Sequence, residues 1–237
     1  MREIRIATAQ FENRDDNKSF NLGRIDELAG QAAEGGAEIV SFHEGCIPGY
    51  SWIQPLKKEQ LLEVAEVVPD GPSVQQLIEI ARRHQLVVMA GLLERDKEDH
   101  VYNCYVTVGP DGYITRFRKI HPFVNPHLSP GSEYNVIDLL GCKVGFLICY
   151  DNNLVENVRL TAMMGAEVIF MPHVTCCLPS VMPGRGVVER ALWDNREADP
   201  ETLRAEFDGP PGRGGVWSRR PAPAYATGIY PGTAHAP

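Results

Sequence analysis

Three residues of this chain stand where an apolar run gives way to a polar turn, and each is of a type that does acid–base or nucleophilic chemistry. Cys149 closes Lys143-Val144-Gly145-Phe146-Leu147-Ile148-Cys149 and is followed by Tyr150-Asp151-Asn152-Asn153. A helix is expected from Leu154 to Gly165. That sets the thiol at a strand tip near a helix amino end, where unpaired N–H groups and the helix dipole favour a nucleophilic thiolate. Glu44 ends Ser41-Phe42-His43-Glu44, ahead of Pro48-Gly49-Tyr50. Partial burial there would raise a carboxylate's pKa towards that of a useful base. Lys119 follows Arg116-Phe117-Arg118, and an ammonium beside a thiol stabilises first the thiolate and then an oxyanion. Singly, each residue has an ordinary explanation: a turn-capping carboxylate, a solvated edge lysine and a small buried thiol.

The elements that must position these residues follow from periodicity and turn signals. Buried strands are expected at Ile4–Ala9 and Ala37–Phe42, with an amphipathic helix over Asn21–Ala33 between them. Helices follow near Glu59–Val67 and over Ser73–His84, the second with Ser73 as N-cap and Gln76 in the capping-box position. Leu86–Leu93 reads as a strand. Tyr102–Val108 and Tyr113–Arg118 flank Gly109-Pro110-Asp111-Gly112 as a hairpin. Strands are expected near Val136–Leu139, in the run ending at Cys149, and at Glu167–Met171. A Cys/Pro/Gly loop then spans Thr175–Gly186, and helices are read at Val187–Asp194 and from Asp199-Pro200-Glu201. Helices and strands alternate with inserted hairpins, so the class is α/β with a mixed sheet. The residues from 209 onward carry six Gly and six Pro and read as irregular, which separates a domain at 1–208 from a segment at 209–237.

A chain of 237 residues with 43% hydrophobic content can bury one sizeable core. The net charge of −8 and the lack of a basic run argue against nucleic acid as a partner. Met1–Gln10 alternates charged and apolar residues and reads as neither leader nor membrane span. A cytoplasmic protein with reduced thiols is expected, since the six cysteines show no C-x-x-C pair. The same lack of a resolving partner argues against a redox role. The seven histidines form no compact ligand pattern, so a zinc site from His121, His127 and His173 has little behind it, and no cofactor is called for.

Taken together, Glu-x-x-x-Pro-Gly-Tyr from Glu44, Arg-Lys-x-His around Lys119 and Ile-Cys-Tyr-Asp around Cys149 resemble the nitrilase, or carbon–nitrogen hydrolase, superfamily, on its amidase-like branch. Ser129-Pro130-Gly131 and Gly165-Ala166-Glu167 extend the resemblance, which runs from about Ile4 to Tyr230. It implies a four-layer α-β-β-α sandwich with mixed sheets and a Glu–Lys–Cys triad needing no metal or organic cofactor. Glu44 would be the general base and Cys149 the nucleophile. Lys119 and the backbone N–H of Tyr150 would hold the developing oxyanion. The substrate would be a small linear amide, or a nitrile, cleaved through a thioester. Pocket residues are expected among Tyr50, Asn125, His127, His173 and Thr175, with the loop 175–186 beside them. Pairing of Cys149 with His121 or His173 ranks far behind. The resemblance also implies a homodimer or higher homo-oligomer.

Two departures from the family pattern bear on turnover. Many members carry a second glutamate in the loop after the lysine, where this chain has His121-Pro122-Phe123-Val124-Asn125-Pro126-His127-Leu128 and no acid before Glu133. Pro126 falls near the expected place; Asn125 or His127 would supply hydrogen bonds there, but no charge. Relatives also continue an Ala-Tyr-Asp-Asn-Gly-like stretch into further strands, where this chain reads Ala224-Tyr225-Ala226-Thr227-Gly228 between prolines. The sheet is therefore expected to be incomplete at its carboxyl-terminal end, with lowered stability or reliance on oligomerisation. A catalytically impaired relative kept for binding or assembly is the alternative reading.

Overall fold

The computed structural model describes residues 3–122, 124–174 and 228–231. The first sheet is built from β1 (Ile6–Thr8), β2 (Ile39–Ser41), β3 (Val87–Arg95), β4 (Val101–Gly109) and β5 (Gly112–Arg118), in that spatial order. β1, β2 and β3 run parallel, while β3–β4 and β4–β5 are antiparallel. The second sheet has the order β6 (Val136–Leu139), β7 (Cys142–Phe146), β8 (Val168–Met171), β9 (Gly228–Pro231). Only its β7–β8 pair is parallel.

Strand alternation sorts the side chains into two cores. Val40, Val88, Ala90, Leu92, Val106 and Val108 face α1 (Lys18–Glu34) and α3 (Pro72–His84), whose Leu22, Ile25, Ala29, Leu77 and Ala81 meet them. Ile39, Val87, Met89, Tyr105 and Phe117 point the other way, towards Val144, Phe146 and Phe170 of the second sheet. The outer face of that sheet is covered by α4 (Val155–Met163): a Cβ at Gly145 would lie 2.3 Å from Thr161 Cγ2. The result is an α-β-β-α stack with mixed sheets.

Several elements differ locally from the sequence expectation. β1 is only half-buried, because it is the edge strand of its sheet. α1 starts at Lys18, where Asn17 Oδ1 accepts the Phe20 N–H at 3.0 Å. α2 (Lys58–Val64) stops short of Val67, because Glu66 N–H donates to Leu93 O in a bridge to β3. Ser73 does not cap α3. Gly71 is the N-cap and Pro72 opens the helix. Both the N–H and the hydroxyl of Ser73 are instead bound by Glu66, at 2.8 and 2.7 Å.

Within the segment from 209 that reads as irregular, Gly228–Pro231 form a strand paired with β8. The proposed boundary at 208, the loop 175–186 and the helices expected at 187–194 and from 199 lie outside the described residues.

Candidate active site

Glu44, Lys119 and Cys149 lie just past the carboxyl ends of β2, β5 and β7, and the two facing sheets bring those ends together. Close backbone approaches make this possible. A Cβ at Gly91 of β3 would sit 2.2 Å from the backbone nitrogen of Gly45, so only glycine lets the Glu44 turn rest on that strand. At Gly131 a Cβ would meet Arg118 O at 2.2 Å, while Gly131 N–H donates to Lys119 O at 2.8 Å and pins the end of β5.

The three side chains are buried: Glu44 is 1%, Lys119 0% and Cys149 5% exposed. Lys119 Nζ donates to Glu44 Oε1 at 2.6 Å. Asn103 Nδ2 donates to the same oxygen at 2.7 Å, and Val174 N–H reaches Oε2 at 3.3 Å. A carboxylate and an ammonium so far from water persist only through such pairing. The Cys149 thiol donates to Val174 O at 3.8 Å, and the Glu44 charge acts on it.

Burial works against ionisation of the thiol. Its pKa is pushed up to about 12, first by burial and then by the Glu44 charge, which together outweigh the opposing pull of Lys119. The helix also begins farther from the thiol than the sequence suggests. Cys149–Asn153 form a 3-10 turn, and α4 begins only at Val155. Cys149 itself has φ of +49°, a left-handed backbone that costs a non-glycine residue roughly 1–2 kcal/mol.

Asp151 holds this turn in place. It is fully buried and accepts Ile148 N–H at 3.2 Å, Ile120 N–H at 3.2 Å and His121 N–H at 2.8 Å. Its pKa is raised, chiefly by burial.

Of the expected pocket residues, Tyr50 is buried, with its ring centroid 5.8 Å from Lys119 Nζ. His173 is partly buried; burial lowers its pKa, while the Glu44 charge pulls it the other way. The Asn125 amide is engaged by the main chain. Its Nδ2 is taken by the carbonyls of Ile53, Gln54 and Leu56 at 2.8, 3.3 and 2.8 Å, and its Oδ1 by His127 N–H at 2.8 Å. It clamps the 51–56 segment. His127 and Pro126 are exposed. The Tyr150 side chain is 43% exposed. Thr175 lies outside the described residues.

Two participants escaped sequence reading. Asp151 was visible as part of the Cys-Tyr-Asp motif, yet nothing local marked it as a tie to β5. Asn103 is a lone amide in a strand whose every residue is buried, and that polar intrusion is the signal that could have found it. His43, beside Glu44, packs edge-on to Phe11 with ring centroids 5.0 Å apart. Its Nδ1 is buried without a hydrogen-bond partner, and burial lowers its pKa to about 4.

The model of the carbon-nitrogen hydrolase family matches residues 5–193, and the chain belongs to that family. It is 32% identical over 211 residues to a nitrilase of Pyrococcus abyssi, covering 87% of this chain and 79% of that protein. An (R)-stereoselective amidase of a Pseudomonas species is 31% identical over 172 residues, 72% of this chain and 60% of the amidase. An omega-amidase of Mus musculus is 32% identical over 167 residues, and the match spans 65% of this chain and 58% of the relative. The chain thus spans about three fifths of the length of these two amidases. Among solved structures, a nitrilase-superfamily protein of Saccharomyces cerevisiae superposes with a TM-score of 0.64 at 28% identity, over 72% of this chain and 64% of its own. An amidase of a Nesterenkonia species shares the fold, with a TM-score of 0.61 at 22% identity over 76% of this chain and 70% of that one. Among the described residues, no helix is long and apolar enough to cross a membrane.

Proposed function

We propose that this chain hydrolyses a small linear amide through a thioester on Cys149, with Glu44 as general base and Lys119 as the cation for the oxyanion. The observation that carries the reading is the buried carboxylate that binds Lys119 at 2.6 Å through Oε1 and, through Oε2, the N–H of Val174, whose carbonyl accepts the Cys149 thiol. A base and a nucleophile so joined are what covalent acyl transfer requires.

With the thiol pKa near 12, a pre-formed thiolate is scarce at neutral pH. Proton transfer to Glu44 therefore accompanies attack. The sulfur bonds to the amide carbon, the thiol proton moves to Glu44, and the oxygen gains negative charge beside Lys119 and the backbone N–H of Tyr150. Collapse breaks the carbon–nitrogen bond, and Glu44 returns the proton to the leaving nitrogen, so ammonia or an amine departs. Water then attacks the thioester, gives its proton to Glu44, and the acid leaves as the thiol is restored. No step draws on a metal or organic cofactor. Tyr50 and His173 flank the pair and are the side chains assigned to the pocket. Amides are favoured over nitriles because two of the three named relatives are amidases.

The exposed apolar residues of α4 and its C-cap, Val155, Leu160, Met163 and Met164, support a second copy of this chain as partner there. The deciding experiment is ammonia release from a panel of linear amides and nitriles, with Cys149→Ala alongside. Turnover lost in the variant supports the thioester route. Turnover surviving in Cys149→Ala would overturn it, and a folded wild type inert on the whole panel would favour a protein retained for binding.

A further inference from the structure

We infer that Asn103 is a positioning residue that reserves one oxygen of Glu44 for the lysine and leaves the other to carry the proton. The inference rests on the reading of Glu44 as the base and deepens it.

Asn103 lies in β4, is 2% exposed, and sits among residues that are all buried. A primary amide is costly there unless bonded. Its Nδ2 reaches Glu44 Oε1 at 2.7 Å, whereas its Oδ1 is buried without a partner. The amide is therefore oriented by the carboxylate rather than by a web of other contacts. The main chain of the same residue accepts Lys119 N–H at 2.8 Å, and Lys119 Nζ returns to Oε1 at 2.6 Å. One residue thus fixes the base through its side chain and the lysine through its backbone.

The two carboxylate oxygens are left chemically unequal. Oε1 faces two short donors, an ammonium and an amide N–H, so a proton placed there would oppose both. Among the described residues, Oε2 has a single long hydrogen bond, from Val174 N–H at 3.3 Å, and Val174 O is also the acceptor of the Cys149 thiol. Val174 brackets the thiol and Oε2 together. The proton lifted from sulfur is carried on Oε2 and returned from the same oxygen to the leaving nitrogen. Rotation of the carboxylate would exchange the two oxygens, and the Asn103 amide opposes that rotation.

The test uses Asn103→Leu, which keeps the volume and removes the donor, and Asn103→Asp, which keeps the shape. Two readouts are taken: kcat and KM on the best amide, and the rate of Cys149 labelling by iodoacetamide, which needs no substrate. In Asn103→Leu, kcat is expected to fall about 10- to 100-fold with KM changed by less than about twofold, and labelling at pH 7 to slow by a similar factor. In Asn103→Asp, the rate relative to wild type is expected to recover as pH falls from 8 to 6, because a protonated carboxyl again donates to Oε1. A folded Asn103→Leu with unchanged kcat and labelling would overturn the inference, as would a rise in KM at constant kcat. If Asn103→Leu does not fold, the pH trend of Asn103→Asp decides. If wild type turns over no amide yet labelling slows in the variants, the substrate reading fails and the Asn103 role stands.

Discussion

Asp151 accepts the backbone N–H of His121 at 2.8 Å, and that bond spans the gap between the cysteine turn and the end of the lysine strand. The same carboxylate takes Ile120 N–H and Ile148 N–H, each at 3.2 Å. One side chain therefore sets the relative position of Cys149 and Lys119, two residues carried by different sheets.

Asp151→Asn keeps the shape but offers a single acceptor oxygen. At least one of those backbone donors loses its partner, so turnover is expected to drop about tenfold or more through misplacement of the thiol. Stability supplies a separate check. The folded-state pKa of Asp151 is raised by burial, so between the ordinary carboxylate range and that raised value the folded chain holds more protons than the unfolded one. Its contribution is therefore present at low pH and is lost as pH rises through the window. The thermal midpoint of wild type minus that of Asp151→Asn is expected to increase as the buffer is taken from pH 7 towards 4. A flat or opposite trend would contradict this.

Lys119 and Glu44 are both fully removed from water at the side chain. Lys119→Met leaves the carboxylate without its cation, with Asn103 and Val174 the remaining donors to it among the described residues, and a loss of about 3–5 kcal/mol is expected in denaturant titration. Adding Glu44→Gln to that variant removes the stranded charge and should recover most of the loss. Labelling of Cys149 is expected to slow in Lys119→Met, because Lys119 is the charge that draws the thiol pKa down.

His43 supplies a pH response of the opposite sign. Its imidazole is kept neutral by burial, with a pKa of about 4 against an unfolded value of about 6.5. The stability it provides is complete above pH 6.5 and is lost as pH falls through the window to 4, a change of about 3 kcal/mol. His43→Phe, which preserves the packing against Phe11, should flatten that part of the stability profile while leaving the alkaline side unchanged.

Strand ends, the 109–112 turn and the order of Glu44, Lys119 and Cys149 were legible because each is a local signal: an apolar run, a turn tetrapeptide, a short motif. What sequence hid was pairing at long range. Ser73 has every mark of an N-cap, but Glu66 claims both of its donors and Pro72 opens the helix instead. Asn125 looked like a pocket donor, and no local rule says that three carbonyls from 53–56 will consume its amide. The surroundings of the thiol were hidden for a similar reason. A turn before a helix reads as an electropositive place, yet burial and the Glu44 charge, both set by tertiary packing, dominate it.

That protonated thiol has a consequence for the molecule at rest. Peroxides and stray electrophiles consume thiolates far faster than thiols, so a cysteine held near pKa 12 is chemically quiet between encounters. Under the proposed mechanism, reactivity is released only when a carbon electrophile and the Glu44 oxygen flank the sulfur at once. The same burial that makes the nucleophile hard to ionise spares it from being spent on the wrong partner.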